Sequence, residues 1–242
     1  MSKFFIKIAN HVGAIETLYS HTLEVCDNFL TTESPEYSIK INQSDIEFER
    51  IQSIANDGYY NTPDEYLESI AVLRKISDQL IDYNVILIHG VAIALGNEAY
   101  LFSGNSGVGK STHMFRWLQR KSDAVVINGD KPFVILGDLP MVCGSPWAGK
   151  EGLYKNTIVP LKSIVFLERS ENNVIEKISF SESFAELYQQ IYRPDNHVKL
   201  IKSLKLLNTL NKKVSFYRYY LNNFKSDAFD IAYHALVNQM DP

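Results

Sequence analysis

A short run in the middle of this chain, Gly104-Asn105-Ser106-Gly107-Val108-Gly109-Lys110-Ser111-Thr112, combines the residue types that a polyphosphate requires. It satisfies G-x-x-x-x-G-K-[ST] at every constrained position. Glycines permit the backbone angles that turn successive N–H groups inward as an anion nest. A helix that follows would point its positive dipole end at the phosphates, and Lys110 adds a point charge. Ser111 is then placed to ligate Mg²⁺. The chemistry implied is binding of a nucleoside triphosphate with Mg²⁺, and transfer of its terminal phosphoryl group. A glycine-rich turn without a ligand is the bland alternative. Context favours the first reading, because the strand-like Ala99-Tyr100-Leu101-Phe102 precedes the run and a plausible helix, Thr112 to Leu118, follows it.

Phosphoryl transfer also needs an acidic group, for the metal or for the acceptor hydroxyl, since catalysis rests on positioning and charge neutralisation. Asp130 is the candidate, as catalytic base or as metal ligand, at the end of the apolar run Ala124 to Ile127. It could equally be a turn aspartate, because Asn128-Gly129-Asp130-Lys131-Pro132 is composed like a turn. His89 directly follows the strand-like Val85 to Ile88 and is succeeded by Gly90, so it could project toward the same crevice. A structural, hydrogen-bonded histidine is the competing reading. Lys150 and Glu151, in Gly149-Lys150-Glu151-Gly152, could hold an acceptor or reach the phosphates, or belong to a solvated loop. Arg193 in Tyr192-Arg193-Pro194 is a weaker phosphate-contacting candidate.

The elements that must position these residues can be read from periodicity. Residues 1 to about 60 alternate in short apolar stretches, such as Phe4 to Ile8 and Tyr37 to Ile41, which predicts a small β-rich lobe. Asn61-Thr62-Pro63-Asp64-Glu65 opens a helix with Thr62 as cap and Pro63 first in the helix, ending near Ile81. The lobe thus covers residues 1–82, and a phosphate-binding kinase domain covers 83–242. In that domain Val85 to Ile88, Ala99 to Phe102, Ala124 to Ile127, Phe133 to Leu136 and Ile164 to Leu167 are compact apolar runs suited to buried strands. Helices are predicted over Ser181 to Ile191, Asp195 to Leu210 and Ser226 to Val237, with the strand-like Val214 to Tyr217 between the last two. The fold class is α/β (α+β), with a helical C-terminal segment.

Bulk properties narrow the partners. A net charge of −4 and no run of five basic residues offer nothing to a nucleic acid. Apolar stretches such as Tyr83 to Leu95 are broken by Asn84, His89 and Gly90 well short of the roughly 18 residues of a membrane span. Cys26 and Cys143 are distant in sequence without metal-ligand spacing, and no secretory leader is visible, so the expected location is the cytoplasm.

His89-Gly90-Val91, the loop at 104 to 112 and Asp130 after the next strand together resemble the catalytic domain of HPr kinase/phosphorylase. Gly144-Ser145-Pro146-Trp147 through Glu168 is similar to the shorter HPr-kinase-related proteins of bacteria. The resemblance implies a phosphoenolpyruvate-carboxykinase-like nucleotide fold with a mixed, curved sheet. It implies an ATP/Mg²⁺ site in which His89 and Asp130 assist attack by a serine hydroxyl of a small protein or peptide. The family's enzymes are hexamers, which leaves homo-oligomerisation open here. Gly129 stands where the family has the first of two adjacent aspartates, and an Arg-Pro-Gly-Arg segment is missing. Both departures point away from HPr itself as acceptor and from the reverse, phosphorylase reaction. A nucleotide-sensing module and a small-metabolite kinase are the rival readings.

Overall fold

The computed structural model describes residues 1–238 of the 242-residue chain, which divide into two units, the first Met1–Tyr83 and the second beginning at Asn84. In the first unit the hairpin β1 (Ser2–Ile8) and β2 (His11–Thr17) is antiparallel. A short helix α1 (His21–Val25) follows, and β3 (Tyr37–Lys40) adds to β2 in parallel. Two longer helices complete it, α2 (Gln43–Asp57) and α3 (Asp64–Leu80).

The helix α2 corrects the expectation of a β-rich lobe over residues 1 to 60. Its apolar residues do not form one buried stripe: Ile46 is buried whereas Phe48 and Ile51 are exposed. Other interactions sustain it. Asn42 and Asp45 form a reciprocal capping box, and Gly58 closes the far end in the left-handed region. Across to α3, Glu49 accepts from Arg74 at 2.5 Å and Asp45 from Lys75 at 2.7 Å. The start of α3 also lies one residue later than its sequence suggests. Pro63, extended at ψ 143°, is the cap residue, and its carbonyl accepts from the Leu67 amide at 3.0 Å. Glu68 of α3 is wholly buried, with its carboxylate accepting from the amides of Leu18 at 2.5 Å and Tyr19 at 3.1 Å. Burying a carboxylate is tolerable only with such partners.

The second unit contains β4 (Val85–Leu87), β5 (Val91–Leu95), β6 (Glu98–Ser103), α4 (Lys110–Arg120), β7 (Val125–Asn128), β8 (Phe133–Ile135) and β9 (Met141–Cys143). It continues with β10 (Ile158–Arg169), β11 (Val174–Ile178), α5 (Phe180–Gln190), α6 (His197–Leu210), β12 (Ser215–Leu221) and α7 (Ala228–Tyr233), which runs on as a π-helical turn, His234–Asn238. The chain is therefore a mixed α and β protein. The larger sheet runs β4-β8-β9-β10-β6-β5-β7, with β12 also paired to β10, and β11 to β12. It is a mixed sheet: β10 is parallel to both β6 and β12, while the other pairings are antiparallel. Strands β5, β9 and β11 join those expected from sequence, and the expected Ile164 to Leu167 is the buried centre of a longer strand. Among the described residues no helix is long and apolar enough to cross a membrane.

Helix α4 lies on this sheet through His113, Met114 and Trp117, all buried. Trp117 sits among Tyr100, Phe102 and Phe229 with ring centroids 5.3 to 5.6 Å apart, within the favourable range for aromatic pairs. His113 accepts at Nε2 from the Trp117 indole N–H at 3.0 Å. Complete burial, aided by the nearby Arg116 charge, pushes the His113 pKa down to about 3. Below a pKa of about 6.5 the unfolded chain therefore takes up a proton that the folded chain refuses, so stability falls as pH drops through that value toward 3. Relative to His113→Phe, the parent chain is expected to lose up to about 2 kcal/mol more between pH 7 and pH 5. Urea unfolding at the two pH values checks this, and parallel losses in the two proteins would refute it.

Candidate functional site

Strand β6 ends at Ser103, and the chain then turns through residues 104 to 109 into α4. Gly104 and Gly109 have φ of 139° and 112°, values L side chains rarely adopt. Both also lack room for a Cβ, which would meet the Leu167 carbonyl at 2.8 Å from Gly104 and strike the Asn223 amide from Gly109. The loop is pinned from outside: Arg169, the last residue of β10, donates to the Gly107 carbonyl, and Asn223 donates to the Gly109 carbonyl at 3.1 Å. Helix α4 makes its first backbone bond from the His113 amide to the Gly109 carbonyl at 2.9 Å. The amides of Lys110, Ser111 and Thr112 therefore have no acceptor within the helix, and they open at its positive end. Lys110 folds back over the loop, donating from Nζ to the carbonyls of Gly104 at 2.7 Å and Asn105 at 3.1 Å. Asn105 and Ser106 are exposed, Val108 and Ser111 half-buried, and Thr112 exposed.

Asp130 follows β7 in a turn that Asn128 builds. The buried Asn128 side chain donates to Ser145 Oγ at 3.0 Å and to its carbonyl at 2.9 Å. Its own oxygen accepts from the amides of Asp130 at 2.8 Å and Lys131 at 2.6 Å. The carboxylate so aimed meets His89 Nε2 at 3.2 Å and Lys131 Nζ at 2.9 Å. Burial works against ionisation of Asp130, but the hydrogen bond from His89 and the charge and hydrogen bond of Lys131 outweigh it and hold the carboxyl down to about 2. Burial also lowers the Lys110 pKa, an effect the Asp130 charge opposes and Lys131 reinforces, so Asp130 lies within electrostatic reach of the loop's ammonium.

His89 is held on two further sides. Its Nδ1 is 3.1 Å from the Gln190 side-chain oxygen, its amide donates to the Gln190 carbonyl at 2.7 Å, and its carbonyl accepts from Ser103 Oγ at 2.6 Å. Ser103 immediately precedes Gly104, so a single residue links the histidine segment to the root of the glycine loop. The Gly90 amide closes the group by donating to the Asp130 carbonyl at 2.9 Å.

Of the residues singled out in the sequence, the structure joins His89 with Asp130 and places Lys110 within their field. The turn carrying Lys150 and Glu151 also arrives, but what it brings against Asp130 is main chain: a Cβ at Gly149 would stand 3.0 Å from Asp130 Cβ. Lys150 is exposed and Glu151 half-buried. Arg193 is engaged elsewhere, with its guanidinium 5.5 Å from the Tyr188 ring centroid and 3.4 Å from the Tyr188 carbonyl. Four contributors escaped sequence reasoning: Ser103, Asn128, Lys131 and Gln190. Asn128 alone carried a signal, as the first residue of a turn-like run. Compared with models of protein families and with curated proteins, the chain matches none.

Gly129 has its own constraint. A Cβ there would lie 2.8 Å from the Ala148 carbonyl and 3.3 Å from that of Leu153, so the turn has no space for a second carboxylate beside Asp130. Gly129→Ala is expected to destabilise the protein by about 1–3 kcal/mol through overpacking. Thermal unfolding tests this, and an unchanged midpoint would mean that the turn relaxes freely.

Proposed function

We propose that this protein is an ATP- and Mg²⁺-dependent kinase that transfers the γ-phosphoryl group to a hydroxyl, on an HPr-kinase-like plan with a phosphoenolpyruvate-carboxykinase-like nucleotide fold. The observation that carries the proposal is the convergence of two separately built groups, the Lys110-capped glycine loop and the His89–Asp130 pair, bridged by the Ser103 hydrogen bond. A loop that merely turned the chain would need neither an ammonium folded over it nor a half-buried carboxylate within its field.

In this reading the amides of the loop and of the first turn of α4, from Gly107 to Thr112, receive the phosphate oxygens, and Lys110 neutralises charge on the β- and γ-phosphates. Mg²⁺ would supply further charge neutralisation, and it asks only one or two oxygens of the protein. Ser111 offers one, and Asp130 offers the other where it serves as metal ligand rather than as base. Asp130 and His89 face the acceptor. The acceptor oxygen bonds to phosphorus as the bond to the departing diphosphate breaks, and the hydroxyl proton passes to the Asp130 carboxylate. A carboxyl held down to about 2 is ionised at every physiological pH but is a weak base. That suits a loose transition state, in which the hydroxyl is oriented first and its proton leaves late. His89, fixed by Gln190 and Ser103, keeps the carboxylate in place. A serine of a small protein or peptide as acceptor rests on the family resemblance, as does homo-oligomerisation.

One observation favours a second reading, a nucleotide-sensing module with little chemistry. The site has a single carboxylate, already held by the His89 ring and the Lys131 ammonium, and no space for another at Gly129. Incubation with labelled ATP and cell extract separates the two readings. A labelled peptide or protein supports transfer to a serine, a labelled metabolite redirects the acceptor, and saturable binding without product supports the sensor.

Two substitutions test the assignments. Lys110→Ala is expected to weaken ATP binding at least tenfold in calorimetry, a loss of about 1.4 kcal/mol or more; unchanged affinity would sink the phosphate-loop reading. Asp130→Asn is expected to cut transfer by about 10²–10⁴-fold while ATP affinity stays within a few fold. Collapse of ATP binding in that variant would instead make Asp130 a metal ligand.

A further inference from the structure

Phe224 is the most exposed large apolar side chain among the described residues, with a relative accessibility of 101%. Its surroundings are not those of a loose loop. The Asn222 amide donates to Asn173 Oδ1 at 2.6 Å, and the Asn222 side chain donates to the Glu171 carbonyl at 2.9 Å. The Phe224 amide donates to Asn222 Oδ1 at 3.0 Å, and the Lys225 amide to the Asn222 carbonyl at 3.2 Å. Lys225 Nζ donates to Asn172 Oδ1 at 2.6 Å. The ring is thus presented bare by a backbone tied down on both sides.

That backbone is also joined to the phosphate loop. Asn223, the residue before Phe224, donates from its side chain to the Gly109 carbonyl at 3.1 Å and accepts at its own carbonyl from Arg116. Gly109, Thr112 and Arg116 follow one another at i+3 and i+4, so they share one face of α4. The turn at 222–225 therefore lies along the side of the helix that carries Thr112, where the end of a phosphate chain seated in the loop would be continued by a sugar and base. A flat, sequence-tolerant surface fixed to that edge is what a nucleobase stacks on.

We propose that Phe224 is the stacking platform for the base of the bound nucleotide; this rests on the phosphate-loop reading of residues 104 to 112. The ring offers a π-face and no hydrogen-bonding group, so it holds purine bases without distinguishing them. Adenine and guanine nucleotides are expected to bind within a few fold of one another. The phosphates, gripped by the loop, do not depend on the ring.

The test measures three ligands by calorimetry with magnesium present: ATP, GTP and inorganic tripolyphosphate. For Phe224→Ala the expected result is about a tenfold loss of affinity for both nucleotides, with tripolyphosphate affinity unchanged. Phe224→Trp should restore nucleotide binding. Unchanged ATP affinity in Phe224→Ala overturns the proposal while leaving the phosphate loop standing. A parallel loss for tripolyphosphate also overturns it, because the residue would then be supporting the loop rather than meeting a base. If the parent protein binds no tripolyphosphate, the phosphate-loop reading itself fails and this inference fails with it.

Discussion

The second unit depends on the pairing of β10 with three neighbours. Its first residues bond to β9, and its later ones run parallel to β6 on one side and β12 on the other. A strand flanked on both sides needs an apolar centre, and Ile164 to Leu167 are all buried. The register matters more than the burial. Because Val165 stands opposite Phe102 and Phe166 opposite Ser103, β6 ends where the Leu167 carbonyl leaves no room for a side chain at Gly104, and the chain has to turn there. The next turn of β10 toward solvent delivers Arg169 to the Gly107 carbonyl. The shape of the glycine loop is thus set as much by its neighbours as by its own glycines.

A second layer of organisation is polar and short-ranged. Asn128 is buried, yet all its hydrogen-bonding capacity is used: it anchors to Ser145 and receives the amides of Asp130 and Lys131. Ser103 and Gln190 serve His89 in the same way, one through its backbone and one through its ring. Each bond satisfies a group that would otherwise be costly to bury, and each also removes a degree of freedom from a chemistry-bearing side chain. Satisfaction of buried polar groups and preorganisation of the candidate site are here the same set of contacts. The arrangement concentrates charge: a carboxylate between an imidazole and an ammonium, with a second ammonium over the adjacent loop.

Gly129 shows how local packing constrains what the site can contain. The main chain at Ala148 and Leu153 passes so close that a side chain at this position is excluded on volume alone, and Gly149 approaches Asp130 from the same segment. A single carboxylate is therefore a property of the turn's geometry. The loop bearing Lys150 and Glu151 takes part through its backbone, which sequence inspection, attentive to charge, had no means to anticipate.

The glycine turn, the strand before it and the helix after it were legible in the sequence, because a glycine and lysine pattern with fixed spacing reports local backbone geometry and needs no distant partner. The buried strands of the second unit were legible for a similar reason: uninterrupted apolar runs have one physical use. The helix α2 was not, since its stability comes from a capping box and from ion pairs with α3 rather than from an apolar stripe. Asp130 and His89 could be named from sequence, and the family resemblance set them in one site, but their direct contact could not be read from it. They lie far apart along the chain, and only the placement of β4, β6 and β7 in the larger sheet, with Ser103, Asn128 and Gln190 around them, brings their side chains to 3.2 Å. Spacing along a chain determines local conformation; which side chains meet across a sheet is decided by register and packing, which no single segment encodes.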